Sequence, residues 1–280
     1  MENVKLSDFN PKMAPVETSE SYSEYRAIVE VDKVALPVLV RKRAGGSDGL
    51  VVLYNGAIQR SKAPDGVVFQ RSSWLDDINA DVVQIADPTL VKHQRLQIGW
   101  GQYSTENWAL DSYKALLDHV RSEFKLAEVV HTVHYGSSAG GFQAGVVATL
   151  DRGSLAVVNN PQLDWSRYNL VFVKALLRDV FEGAEVEKIL EESPWRVNLI
   201  EFFKKQNYIP PIEILTNLAS DGDYEQQLLP FLEGLRQLHS GNRTPRVNFR
   251  SYADANLGHN PLSKPYTLRL INESIERVLK

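Results

Sequence analysis

The order of segments in this 280-residue sequence predicts an α/β protein with a mostly parallel central sheet, flanked by helices on both faces and carrying a helical insertion. Three observations lead there. Continuous apolar runs such as Leu50-Val51-Val52-Leu53-Tyr54 and Val82-Val83-Gln84-Ile85-Ala86 suit strands buried on both faces. Segments of helical periodicity alternate with such runs. No internal repeat and no linker rich in Gly, Pro and Ser divides the chain, so residues 1–280 are expected to form one domain.

Taken in order, residues 24–30 and 34–41 alternate β-branched and polar side chains and read as an antiparallel pair joined through Asp32-Lys33. Gly45-Gly46-Ser47-Asp48-Gly49 reads as a hairpin loop before the strand 50–54, which ends at Asn55-Gly56. A short helix is expected within residues 67–78, then a strand at 81–86. Residues 104–124 place Trp108, Tyr113, Leu117, Val120 and Phe124 at helical spacing, with Ser104 or Thr105 as N-cap and Glu106 in the first turn. A strand over 129–135 follows, then a Gly-rich turn at 136–141 and a small-residue helix to Leu150. Further strands are expected at 155–158, 212–218 and 247–252, with helices at 224–239 and from about 264 onward. Residues 164–207 break the rhythm: they are helical in pattern throughout and read as a cap or lid over the sheet edge. Its aromatic stripe of Trp165, Tyr168, Phe172, Trp195, Phe202 and Phe203 either lines a pocket or packs the cap.

Composition excludes several classes of function. Lys plus Arg number 31 against 35 Asp plus Glu, a net charge of −4 without a basic run, so a nucleic-acid partner is not expected. Without cysteine, disulfides, thiolate metal sites and a cysteine nucleophile are impossible. No His pair stands at ligand spacing beside a carboxylate, and neither a G-x-G-x-x-G nor a phosphate loop is present, so neither metal nor nucleotide cofactor is expected. Residues 1–20 are polar and no run approaches the roughly 20 apolar residues of a membrane span. The expected location is the cytoplasm.

The strongest motif is Gly136-Ser137-Ser138-Ala139-Gly140, a G-x-S-x-G set between a β-branched strand and an Ala/Gly-rich helix. A nucleophile on so tight a turn needs small residues two positions away on either side, and the helix N-terminus adds partial positive charge beneath a developing oxyanion. From about Leu50 onward the sequence resembles the α/β-hydrolase superfamily, in which nucleophile, acid and histidine follow in that order. The resemblance implies Ser138 as nucleophile and His259, in Gly258-His259-Asn260-Pro261 after the last strand, as base. Of the other histidines, His131 and His134 fall in a strand, His119 and His239 on helices, and His93 in a loop. The acid should follow the strand at 212–218, where Asp221 and Asp223 both stand; Asp221, at the family's usual offset, is preferred, with Asp223 the alternative and Asp254 a distant third. Either aspartate also suits a turn before a helix.

The same resemblance implies an oxyanion hole made by the N–H of Ala139 and, from the loop holding Asn55 and Gly56, the N–H of Ala57. A narrower resemblance, on Gly136 to Phe142, on Asn160-Pro161-Gln162 and on Gly99-Trp100-Gly101-Gln102, is to α/β-hydrolase-like proteins of bacterial capsule biosynthesis and accessory Sec glycoprotein export. It implies an acylated sugar as substrate, with Trp100, Tyr103 and Gln162 as candidate contacts. The expected function is that of a serine esterase on a small or sugar-linked acyl ester, with an O-acyltransferase or a non-catalytic binding protein as alternatives.

Overall fold

Period-two alternation becomes a long hairpin: β3 (Tyr22–Val31) and β4 (Val34–Arg43) run antiparallel from Tyr22 opposite Arg43 to Val31 opposite Val34. Asp32 and Lys33 between them both take positive φ, +47° and +70°, the two-residue turn whose twist matches that of the strands. Two short polar strands that the sequence does not announce, β1 (Asn3–Lys5) and β2 (Glu17–Thr18), pair with β3. The computed structural model describes residues 1–238 and 246–280.

The apolar runs form the buried centre: β5 (Leu50–Tyr54), β6 (Asp81–Ile85), β7 (Thr132–Ser137), β8 (Leu155–Asn159) and β9 (Ile212–Asn217) are buried along their whole length. The exposed β10 (Val247–Tyr252) closes one edge. The order is β1-β3-β4-β6-β5-β7-β8-β9-β10, with β2 beside β3, and the strands from β6 to β10 run parallel. Residues 45–49 are therefore not a hairpin loop. Chain neighbours β4 and β5 are separated by β6, whose Asp81 carboxylate accepts the Arg43 N–H where β4 ends, so residues 44–49 cross over it.

α2 (Ala109–Phe124) and α3 (Ala139–Leu150) cover one face of the sheet, with α6 (Leu199–Gln206) packed on α3; α8 (Lys264–Val278) covers the other. The short α1 (Pro88–Lys92), capped by Asp87, was not legible in the sequence. α2 starts later than its periodicity predicts, with Trp108 as N-cap in place of Ser104 or Thr105. The Arg196 guanidinium takes the carbonyls of Gln102, Ser104 and Thr105, which are then unavailable to a helical ladder, and the Ser104 hydroxyl accepts the Asn107 N–H in a local turn. Likewise residues 67–78 hold only one 3-10 turn, Ser72–Asp77, and 129–131 form another, so β7 begins at Thr132 and His131 is outside it.

Between β8 and β9 the chain is helical: a 3-10 turn at Trp165–Arg167, α4 (Leu170–Val180), α5 (Val186–Glu192), a turn at Pro194–Arg196, then α6. An isolated bridge between Asp164 and Asn198 ties the start of this segment to the N-cap of α6. Trp165, Phe202 and Phe203 are sealed in the core, so that part of the aromatic stripe is packing. After β9 the expected helix divides into a π-helical stretch, Gly222–Leu228, and α7 (Leu229–Gln237); His239 lies outside the described residues.

Candidate active site

Ser138 stands between β7 and α3 at φ +55°, ψ −126°, a conformation that L-residues rarely adopt. Its neighbours explain the small residues of the motif. A Cβ on Gly136 would lie 2.0 Å from the Gly140 carbonyl oxygen, and one on Gly140 2.8 Å from that of Tyr54. The turn is fixed further by the Ser138 N–H, which donates to Asn159 O at 3.2 Å, and by the Ser138 carbonyl, which accepts from the backbone N–H of Gly141 and of Gln162.

The loop after β10 brings His259 to this turn. Its Nε2 is 2.9 Å from Ser138 Oγ, and its Nδ1 is 2.6 Å from Asp223 Oδ1. Asp223 is almost sealed from solvent, while the His259 side chain keeps 33% of its surface exposed. With Nδ1–H donated to the carboxylate, Nε2 is the tautomer's free acceptor and faces the hydroxyl. The arrangement can take a proton from Ser138 and steady the imidazolium that results.

Three asparagines at the carboxyl ends of the central strands hold that loop, and sequence reasoning missed all of them. Asn160 donates to the carbonyls of His259 and Asn260, Asn217 donates to those of Asp254 and Gly258, and Asn159 Oδ1 accepts the Leu262 N–H. The available signal was the run Asn159-Asn160 and the single Asn217, polar residues directly terminating apolar strands at the edge where ligands bind in open α/β sheets.

The aspartate beside His259 is the alternative of the two, Asp223. Asp221 is exposed and no hydrogen bond or ion pair joins it to His259; Asp223 occupies that place. The i→i+5 winding of Gly222–Leu228 turns Asp223, Gln227 and Leu228 inward and leaves Asp221 outside. Asp254 caps its own loop, accepting the N–H groups of Asn256 and Leu257.

The expected oxyanion donors divide. Ala139 N–H is the first of α3 and has no intrahelical acceptor. The N–H of Gly56, also a candidate from the sequence, donates to Gln70 Oε1 at 2.9 Å. The same Gln70 donates to Ala57 O at 2.7 Å, holding the loop beside the serine with Ala57 exposed.

Of the expected substrate contacts, only Gln162 meets Ser138 and His259, with Nε2 2.7 Å from Ser138 Oγ and 3.5 Å from His259 Nε2. Trp100 is fully buried between Trp165 and Tyr168, and its indole N–H donates to Gln162 Oε1 at 2.5 Å, so it is part of the support rather than a surface for substrate. Tyr103 lies elsewhere: its ring is under Lys92, its hydroxyl donates to Lys33 O, and its carbonyl is 2.8 Å from His93 Nε2. Tyr168 does reach the site, with its ring 5.5 Å from that of His259. Burial, assisted by Asp223, raises its phenol above the ordinary value. Among the described residues no cluster of His, Asp and Glu could hold a metal ion.

No protein-family model matches the sequence, and no curated protein is similar enough in sequence to count as a relative. Solved structures do match. The capsule O-acetyltransferase of Neisseria meningitidis serogroup A superposes with a TM-score of 0.64 at 12% identity, over 97% of this chain and 100% of that one. An S-formylglutathione hydrolase from Agrobacterium tumefaciens gives 0.62 at 14%, over 95% and 98%. Carboxyl esterase 2 of the fungus Tuber melanosporum gives 0.60 at 11%, over 94% and 89%. The chain has the α/β-hydrolase fold that these proteins share.

Proposed function

We propose that the protein is a serine hydrolase of acyl esters that works through an acyl-enzyme. The observation that carries this reading is the continuous line Asp223–His259–Ser138, at 2.6 and 2.9 Å, ending on a strained turn at the head of a helix. His259 takes the hydroxyl proton as Ser138 Oγ attacks the acyl carbonyl, and Asp223 holds the imidazole and stabilises its charged form. The oxygen that becomes negative is met by the N–H groups of Ala139 and Ala57, an arrangement typically worth about 3 kcal/mol of barrier for each donor. The proton then passes from His259 to the departing alcohol. Water, deprotonated in turn by His259, releases the acid and restores Ser138.

The reading of the substrate is a small or sugar-linked acyl ester without strong charge, motivated by the balanced composition and by the likeness to esterases. A second reading, O-acyl transfer to a glycan hydroxyl, is favoured by the likeness to the capsule O-acetyltransferase along its whole length. One experiment separates them: incubation with p-nitrophenyl acetate, with and without a sugar acceptor, and quantification of acetate and acetylated sugar. A hydrolase releases acetate at the same rate in both arms. A transferase forms sugar ester faster than it releases acid, and turnover unchanged in Ser138→Ala would defeat both readings.

A further inference from the structure

Gln162 is a fully buried amide whose two ends face groups of opposite demand, with His259 Nε2 3.5 Å from its NH2 end and the Tyr168 phenol hydrogen-bonded to it. On one side stands the indole N–H of Trp100, which can only donate; on the other stands Ser138 Oγ, which can accept or donate. The two ends of an amide are nearly isosteric, so orientation is decided by such partners alone. Here the indole pins the carbonyl end at 2.5 Å, which directs the NH2 end to Oγ at 2.7 Å. The reverse orientation would set amide NH2 against indole N–H and offer the serine hydroxyl a carbonyl acceptor in competition with His259.

Resting on the serine-hydrolase reading, we propose that Trp100 and Gln162 form a polarity lock. Gln162 touches a reacting atom, donating to Oγ so that the hydroxyl hydrogen has His259 Nε2 as its one acceptor, and it opposes negative charge growing on Oγ as the proton leaves. Trp100 is a positioning residue that acts through Gln162. The lock stands opposite the oxyanion loop: β5 flanks β7 on one side and β8, from which Gln162 follows, on the other. It therefore serves the oxygen of the nucleophile and not that of the acyl carbonyl.

The test is the second-order rate of labelling by a fluorophosphonate, in which an Oγ–P bond forms, the P–F bond breaks, fluoride leaves and the hydroxyl proton goes to His259. Three variants are compared with the wild type: Gln162→Met, which removes donor and acceptor alike; Gln162→Glu, isosteric but presenting only acceptors at neutral pH; and Trp100→Phe, which frees the amide to turn. The lock predicts a modest loss for Gln162→Met, within about tenfold, and a loss of at least about a hundredfold for Gln162→Glu, with Trp100→Phe between them. It also predicts that the acid limb of the pH–rate profile moves upward in Gln162→Glu, because its carboxylate lies beside an imidazole otherwise faced by Asp223, Tyr168 and Ser138, and stays in place in Gln162→Met. Equal losses in Gln162→Glu and Gln162→Met without a shift of that limb would overturn the lock and leave the serine reading intact. No labelling of the wild type would overturn both. Gln162→Glu and Gln162→Met decide the matter even if Trp100→Phe does not fold.

Discussion

The molecule contains two lines of carboxylate, imidazole and hydroxyl, and they differ in everything but composition. Asp223, His259 and Ser138 meet at the carboxyl end of the sheet. Asp151, His134 and Tyr54 meet inside it: Asp151 Oδ2 is 3.0 Å from His134 Nε2, and His134 Nδ1 is 2.8 Å from the Tyr54 hydroxyl. In the inner line both His134 and Asp151 are wholly inaccessible, whereas His259 keeps a third of its side chain in contact with solvent. Burial holds His134 below its ordinary value and drives the Tyr54 phenol well above its own, so the inner imidazole stays neutral and the inner hydroxyl is a poor source of protons. Burial also pushes the Asp151 carboxyl up, but hydrogen bonds from His134 and from Arg121, which clamps both of its oxygens, outweigh that and keep it well below the usual carboxylate range. Three residue types in a row thus make a structural brace when sealed on every side. On the proposed function they make a reactive group when one end opens on a strained turn.

The comparison can be broken most severely at its hydroxyl ends. Ser138→Ala is expected to lower kcat/KM on the best ester by about 10³-fold or more, because the residual rate then comes from binding and the oxyanion donors alone. Tyr54→Phe, which removes the corresponding oxygen of the inner line, should leave kcat/KM within about threefold; steady-state kinetics on both variants checks the pair. The next largest effect concerns the acids. Asp223→Asn should cost roughly 10²- to 10⁴-fold in kcat through loss of the correct tautomer, with Asp221→Asn close to wild type. A large loss in Asp221→Asn with Asp223→Asn close to wild type would return the acid to the exposed position.

Asp151→Asn reverses the order of consequences. Removing one partner of a buried ion pair leaves Arg121 with only the more distant, half-exposed carboxylate of Asp118 at 3.8 Å, and the free energy of unfolding should fall by roughly 3 kcal/mol in a urea titration while the folded fraction keeps its kcat. The smallest effect is on the pH dependence of stability. Because the folded value of His134 lies below its unfolded one, near 6.5, only the unfolded chain binds a proton there as pH falls. Stability is therefore full above about pH 6.5 and declines below it by at most about 1.4 kcal/mol per pH unit. Asp151, whose folded value also lies below the unfolded 3.8, adds a second decline below that pH. Urea titrations of the wild type and His134→Gln across pH 7 to 5 check the first step, which should be weaker in the variant.

The two lines also differ in how far the sequence reveals them. Ser138 and His259 are legible because the backbone demands of the turn restrict residues 136 and 140 to glycine and because the loop after the last strand has one histidine. Asp223 is not singled out by local pattern because both aspartates suit a turn before a helix, and the π-helical winding decides which faces inward. The inward set Asp223, Gln227, Leu228 and Phe231 continues one face of α7, a periodicity that includes Asp223 and leaves out Asp221. The inner line was not legible, since His134 in a buried strand and Asp151 after a helix are far from each other and from Tyr54 in any local pattern. The late start of α2 and the crossover at residues 44–49 were hidden for the same reason: Arg196 and β6, which impose them, come from distant parts of the chain.

The most direct test of the account is intact-mass analysis after treatment with a fluorophosphonate, with Ser138→Ala and His259→Ala treated in parallel. The account predicts one adduct per wild-type chain, located on Ser138 by peptide mapping, and none on either variant. A folded wild-type protein that takes up no label, or one labelled equally in Ser138→Ala, would contradict it.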